Sequence, residues 1–193
     1  MEKLRGLLKQ RGRISGILID DAEGFPSRTA FRHRFGSLVS AYRLIGYDPE
    51  IDYSFIETNR KLRKQHPAIV TSVVGQCQGL GAVATLDEKT GLLHLNHELR
   101  VSIVLCRHIT TDAGSSRWLV RLDEGLKPDI TIAVRMDATN EGIRDYYLLP
   151  GIDMTWENLR LAEENGVYLD AYRFETLGFF LGMAKRVIIR EAA

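Results

Sequence analysis

Cysteine is scarce in this chain, with two in 193 residues, Cys77 and Cys106. Neither belongs to a metal-ligand pair, which excludes a disulfide scaffold and a cysteine-based zinc site. Both fall in apolar segments that read as a buried helix and a buried strand, where they act as reduced core residues. No apolar run approaches the roughly 18 residues that a membrane span needs, and no secretory leader opens the chain. A cytoplasmic protein without a membrane partner is therefore expected. Five prolines and the absence of low-complexity tracts exclude collagenous and disordered classes. Charge of one sign is not in excess either: the formal net charge is +1.

What is present is an ordinary globular composition, 45% hydrophobic and 26% charged, long enough for one good-sized domain or two small ones. The near-neutral total conceals an asymmetry. Residues 1–66 carry 13 Lys and Arg against 8 Asp and Glu, a net +5, whereas the remainder carries 13 against 17, a net −4. A basic front and a mildly acidic back suit a protein whose N-terminal part meets phosphate.

The segment Pro26 to Tyr47, PSRTAFRHRFGSLVSAYRLIGY, is the most informative. Ser27 stands at a helix N-cap, where its hydroxyl can accept a free first-turn N–H. Helical spacing puts Ala30, Phe31 and Phe35 on one face and Arg28, Thr29, Arg32 and His33 on the other, with Arg34 alongside. Gly36 ends this helix and Ser37 caps another, in which Leu38, Ala41, Tyr42 and Ile45 recur at helical spacing. A basic helix followed by a tight turn and a second helix is helix-turn-helix-like. The same spacing also fits a small helical hairpin with a solvated face.

Around it, residues 2–11 form an amphipathic helix with Leu4, Leu7 and Leu8 inward, Ser15 caps a short helix over 16–22, and Tyr47-Asp48-Pro49 closes the unit. A helix over 52–65, basic at Arg60, Lys61, Arg63 and Lys64, is expected to break at His66-Pro67 before a second helix over 68–78. From there the period changes to two. Strands are expected over 82–86, 92–95, 99–109, 117–122, 130–136 and 145–149, then helices over 155–165 and 176–186. The expected fold is α+β: a helical unit over residues 1–48, then an α+β domain over 49–193 with a mixed sheet of about six strands flanked by helices.

Four strings, PSRTAFRHRFGSLVSAYRLIGYDP, RWLVRLDEGLKPDITIAVRMDATN, DYYLLP and WENLRLAEENGVYLDAYRF, give the chain a family resemblance. It resembles the noncatalytic C-terminal region of alphaproteobacterial serine recombinases of the resolvase type. In that family a separate domain cuts DNA through a seryl-phosphate link, and no such strand-helix unit is expected within these 193 residues. The resemblance implies a DNA-binding tail or a fragment of a longer recombinase, with double-stranded DNA as partner and no catalytic residues or cofactor of its own. Ser15, Ser27 and Ser37 read as caps and not as nucleophiles.

The strand order more loosely resembles a PD-(D/E)XK nuclease core, which needs carboxylates and a lysine around Mg²⁺. The nearest oxygen ligand on the second strand is Asn96, and Val101-Ser102-Ile103-Val104 offers neither acid nor lysine. Asp87, Glu98 and Asp129 are the candidate site residues of an Mg²⁺-dependent alternative, although Glu98-Leu99-Arg100 falls at a turn. If that fold is right, the site is degenerate.

Other residues carry paired readings. Arg117, Arg121 and Arg135 form a basic face toward DNA or pair with Asp123, Asp137 and Glu141 across strands. His94 and His108 can face each other, but no third ligand at suitable spacing completes a zinc site. Gly75 to Gly81 contains GxxxG but lacks the strand-glycine-helix order of a nucleotide loop, and reads as a helix end. Phe179, Phe180, Leu181 and Met183 near the C-terminus supply a third possibility, an apolar helix that joins subunits into a homo-oligomer.

Overall fold

The chain divides into two compact units, Met1–Glu57 and Thr58–Ala193. The computed structural model describes residues 1–48, 54–122, 125–154 and 158–186. Pro49, Asp52, Asp123 and the start of the expected 155–165 helix lie outside the described residues.

The first unit holds four helices: α1 (Glu2–Arg11), α2 (Gly16–Asp20), α3 (Arg28–Phe35) and α4 (Leu38–Leu44). Leu4, Leu7, Ile14, Ile19, Phe31, Ala41 and Tyr42 make its core. The local signals work as expected: Ser15 Oγ accepts from Leu18 N at 3.2 Å and Ser37 Oγ from Ser40 N at 2.9 Å. Ala30, expected on the inner face, is exposed. It lies about 100° around the helix from Phe31, too far to share the narrow stripe that Phe31 and Phe35 fill.

The second unit begins along α5 (Ser54–Gly79), a single helix through Pro67. The expected break is therefore corrected. Pro67 removes one backbone donor, yet the apolar stripe runs on through it, with Leu62, Val70, Val73 and Cys77 all buried. His66 occupies the intervening position of that stripe, its Nε2 2.8 Å from the Ile103 carbonyl oxygen. Packing outweighs the local penalty. Pro67 is itself exposed, so Pro67→Ala should restore the missing helical bond and raise stability by about 1–3 kcal/mol in a urea titration.

Nine strands follow among the described residues: β1 (Ala84–Leu86), β2 (Leu93–Leu95), β3 (Leu99–Cys106), β4 (His108–Thr110), β5 (Ser116–Arg121), β6 (Ile130–Met136), β7 (Ile143–Pro150), β8 (Asn158–Leu161) and β9 (Arg173–Phe174). Helices α6 (Gly166–Asp170) and α7 (Gly178–Ala184) flank β9. A six-stranded mixed sheet runs β1-β2-β3-β6-β7-β9, with β3 and β6 parallel and the other pairs antiparallel. A second sheet runs β4-β5-β8.

Side-chain alternation sends the two faces of the main sheet into separate cores. Val101, Ile103, Ile132, Val134 and Leu148 pack with Val70 and Val73 of α5 and Phe180 of α7. Cys106, Ala133, Tyr147 and Leu149 pack with Trp118, Val120, Leu159 and Leu161 of the small sheet. Covered on both sides, β6 is buried from Thr131 to Met136 and reads as a continuous apolar run.

Three sequence expectations change here. The 99–109 strand is two strands in different sheets, because Asn140 takes over pairing at the switch: its Oδ1 accepts from His108 N at 2.7 Å and its Nδ2 donates to His108 O at 3.2 Å. The described part of the 155–165 helix is instead β8, paired antiparallel with β5 through Trp118↔Leu161. Its Asn158 to Leu161 alternates exposed and buried, a period-two signal hidden among helix-forming residues. Finally, Phe180 of the expected interaction helix is fully buried, leaving Phe179 and Met183 as its exposed apolar residues.

One polar cluster sits inside this packing. Arg135, read either as part of a basic face or as a cross-strand partner of Asp123, Asp137 or Glu141, is fully buried and pairs with Asp145 instead. Its Nε and Nη2 donate to Asp145 at 2.6 and 2.5 Å, and Nη1 donates to the Ala162 carbonyl at 2.5 Å. Its guanidinium lies 4.4 Å from the Trp118 ring centre and 5.0 Å from that of Tyr147. Arg173 Nε adds a further bond to Asp145 at 2.9 Å. Tyr147 Oη donates to Asp170 at 2.6 Å and accepts from Asn165 Nδ2 at 2.8 Å. Burial, then the Asp170 bond, push the Tyr147 phenol up to about 12. The small sheet is thus fixed to the large one by polar as well as apolar contacts.

Candidate nucleic-acid interface

Helix α3 is built by its ends. Ser27 Oγ accepts from Ala30 N at 3.3 Å, and Gly36, at φ 77°, returns its N–H to Arg32 O at 2.8 Å. A side chain at Gly36 would be strained at that φ, so glycine permits the immediate turn into α4. Phe31 is buried and stacks on Phe35 at 6.1 Å, which anchors the inner face. Arg28, Thr29, Arg32 and His33 consequently form one exposed stripe along the outer face.

Within the stripe the arginines differ. Arg28 Nε is 2.5 Å from Asp20 Oδ2, and Arg28 N donates to Asp20 Oδ1 at 3.3 Å. Asp20 therefore orients Arg28, and an incoming phosphate would compete for it. Arg32 forms no ion pair among the described residues, so its five donors face solvent. Arg34 departs from the stripe, its guanidinium 5.7 Å from the Phe35 ring centre.

On α5, Arg60, Lys61 and Lys64 are all exposed, and Lys61 Nζ pairs with Glu141 at 3.2 Å. Arg63 lines a cleft of about 370 Å³, together with His66, Arg107 and Arg121. Sequence reading did not group these four. They come from a helix, a strand end and the switch between sheets, so no periodicity connects them. Arg117 donates to its neighbouring Ser116 carbonyl instead, and Asp137 is occupied in its own turn, bonding Thr139, Glu141 N and Gly142 N.

The three acidic candidates do not gather at one end of the sheet. Asp87 sits in the β1–β2 turn, where Lys89 N at 2.8 Å and the Thr90 groups hold its carboxyl below the usual range. Glu98 precedes β3 and pairs with Arg186 at 2.8 Å. Asp129 accepts from Arg100 N at 2.8 Å and from both sides of its guanidinium at 3.3 Å, which lowers its carboxyl. Glu98 and Asp129 lie where the parallel strands β3 and β6 begin. Asp87 N instead bonds Leu92 O at the opposite end of the hairpin, roughly four residue steps away, or ~13 Å along the strands. Asn96 is also committed: its Oδ1 accepts from Val83 N and its Nδ2 donates to Ala184 O, both at 2.9 Å.

Among the described residues no group of three or more His, Cys, Asp and Glu could hold a metal ion. His94 lies in the large sheet, and His108 in the small one, with Nε2 3.0 Å from Ser116 Oγ. Burial pushes the Cys106 thiol up to about 12, partly opposed by the Arg135 charge. Among the described residues no helix is long and apolar enough to cross a membrane.

Comparison with models of known families finds no match, and no curated protein matches. None of the comparisons returns a recombinase. One solved structure, described as that of a bacterial homing endonuclease, is similar over 59% of this chain and 86% of its own, with 15% identity and a TM-score of 0.38. At that score the likeness carries no argument about fold or activity.

Proposed function

We propose that the chain is a noncatalytic module that binds double-stranded DNA, of the kind that would accompany a serine recombinase in DNA recombination. The observation that carries this reading is the outer stripe of α3: Arg28, Thr29, Arg32 and His33 exposed on one capped helix. Arginine and threonine can bond base edges, and guanidinium can clamp phosphate in two places. An α-helix with its side chains is about 10–12 Å across, close to the width of the major groove. The dispersed carboxylates offer no support for an Mg²⁺-dependent nuclease built on Asp87, Glu98 and Asp129. Retention of sheared genomic DNA by the purified chain tests the reading. Intact fragments sharing a short motif are expected, whereas new Mg²⁺-dependent ends would reject it in favour of cleavage.

A further inference from the structure

Beyond Val101, no strand among the described residues pairs with the β2-side edge of β3, and the chemistry of that edge is specific. β2 covers only Leu99 to Val101, because its register ends at Leu93↔Val101. Asn96 N donates to Val83 O, on the β1 side, so the odd-numbered residues of β2 face β3 and the odd-numbered residues of β3 face β2. The same parity turns the N–H and C=O groups of Ile103 and Leu105 outward beyond the end of β2. His66 bonds the outward Ile103 carbonyl at 2.8 Å. The edge is left presenting two N–H donors and one carbonyl.

These donors open into the 370 Å³ cleft rimmed by Arg63, Arg107 and Arg121, with Ile103, Leu105 and Leu119 as its apolar wall. Among the described residues no carboxylate lines it. An added β-strand would need the carbonyl that His66 already occupies. An anion needs only donors and positive charge, and here both are concentrated beside a water-excluding wall. We infer that this cleft is a phosphate-binding site. Resting on the DNA-binding reading above, its natural occupant is a phosphodiester of the bound DNA, contacted independently of α3.

The test follows the Ile103 and Leu105 amide resonances of the full chain by NMR, during titration with a 20-base-pair duplex and, separately, with thymidine monophosphate. Both ligands should shift these amides. Arg63→Ala with Arg121→Ala should abolish the shifts and lower the log–log salt slope of duplex binding by about two. Arg63→Lys with Arg121→Lys should keep the shifts, which separates loss of charge from loss of fold. Shifts with the nucleotide but no binding of duplex would uphold the phosphate site while overturning the DNA reading. Amides unmoved by either ligand would overturn the site, even if duplex binds elsewhere on the chain.

Discussion

Asp145→Ala should destabilise the second unit by about 3–5 kcal/mol, the largest single-residue effect expected in this chain. Asp145 is 2% exposed and accepts from both Arg135 and Arg173. Its removal leaves the Arg135 guanidinium without its anion among Trp118, Tyr147 and the apolar side chains of the second core. The buried charge cannot escape by deprotonating, because a guanidinium keeps its proton at any working pH. The pair as a whole need not stabilise strongly, since two ions were desolvated to make it. Replacing both members, as Arg135→Met with Asp145→Leu, should therefore recover most of the loss. Trp118 is buried in the second core beside Arg135, so its fluorescence in a urea titration reads the effect directly. A loss below 1 kcal/mol for Asp145→Ala would show that water reaches the pair.

Arg28→Ala combined with Arg32→Ala should weaken duplex binding by ten- to a thousand-fold. Each residue that contacts a base edge is worth about 1–3 kcal/mol, and each phosphate contact also adds to the salt slope. Arg32 should account for the greater share. Arg28 must first leave Asp20, 2.5 Å away, so part of its gain is offset by a broken ion pair. The expectation for Asp20→Asn follows: it frees Arg28 and should leave affinity unchanged or improved. Fluorescence anisotropy of a labelled duplex measures all three proteins. Stability should hardly change, because both arginines are exposed and the fold of α3 rests on Ser27, Phe31 and Gly36.

The features legible in the sequence are those set within a few residues. Ser27, Gly36 and Ser37 mark the ends of α3 and α4 because capping is a local bond, and the structure places those caps as read. Strand β6 is recognisable because burial on both faces makes it uniformly apolar. Where distant residues decide, local reading fails. α5 passes through Pro67 because the buried stripe and the His66–Ile103 bond outweigh one missing donor. β8 is a strand because β5 offers it an edge, despite the helix formers around it.

The family-like strings illustrate the same limit for function. Trp118, Arg135, Asp145, Tyr147, Asn165 and Asp170, drawn from three of those strings, gather in or beside one buried network. What made them conspicuous in sequence is structural in this fold. The stripe on α3 was visible because four residues of one helix share a face. The cleft beside β3 was not, because Arg63, Arg107 and Arg121 are brought together only by the sheet topology.

The central claim, that this chain holds duplex DNA without cutting it, is tested most directly by titrating the unmodified chain into a labelled 30-base-pair duplex of its enriched sequence. The titration is run at 50 and 200 mM salt with Mg²⁺ present, and the recovered DNA is resolved on a denaturing gel. Saturable binding that weakens at least ten-fold at the higher salt, with every strand intact, is the predicted result. Absence of binding at 50 mM salt, or strand cleavage that requires Mg²⁺, would contradict it.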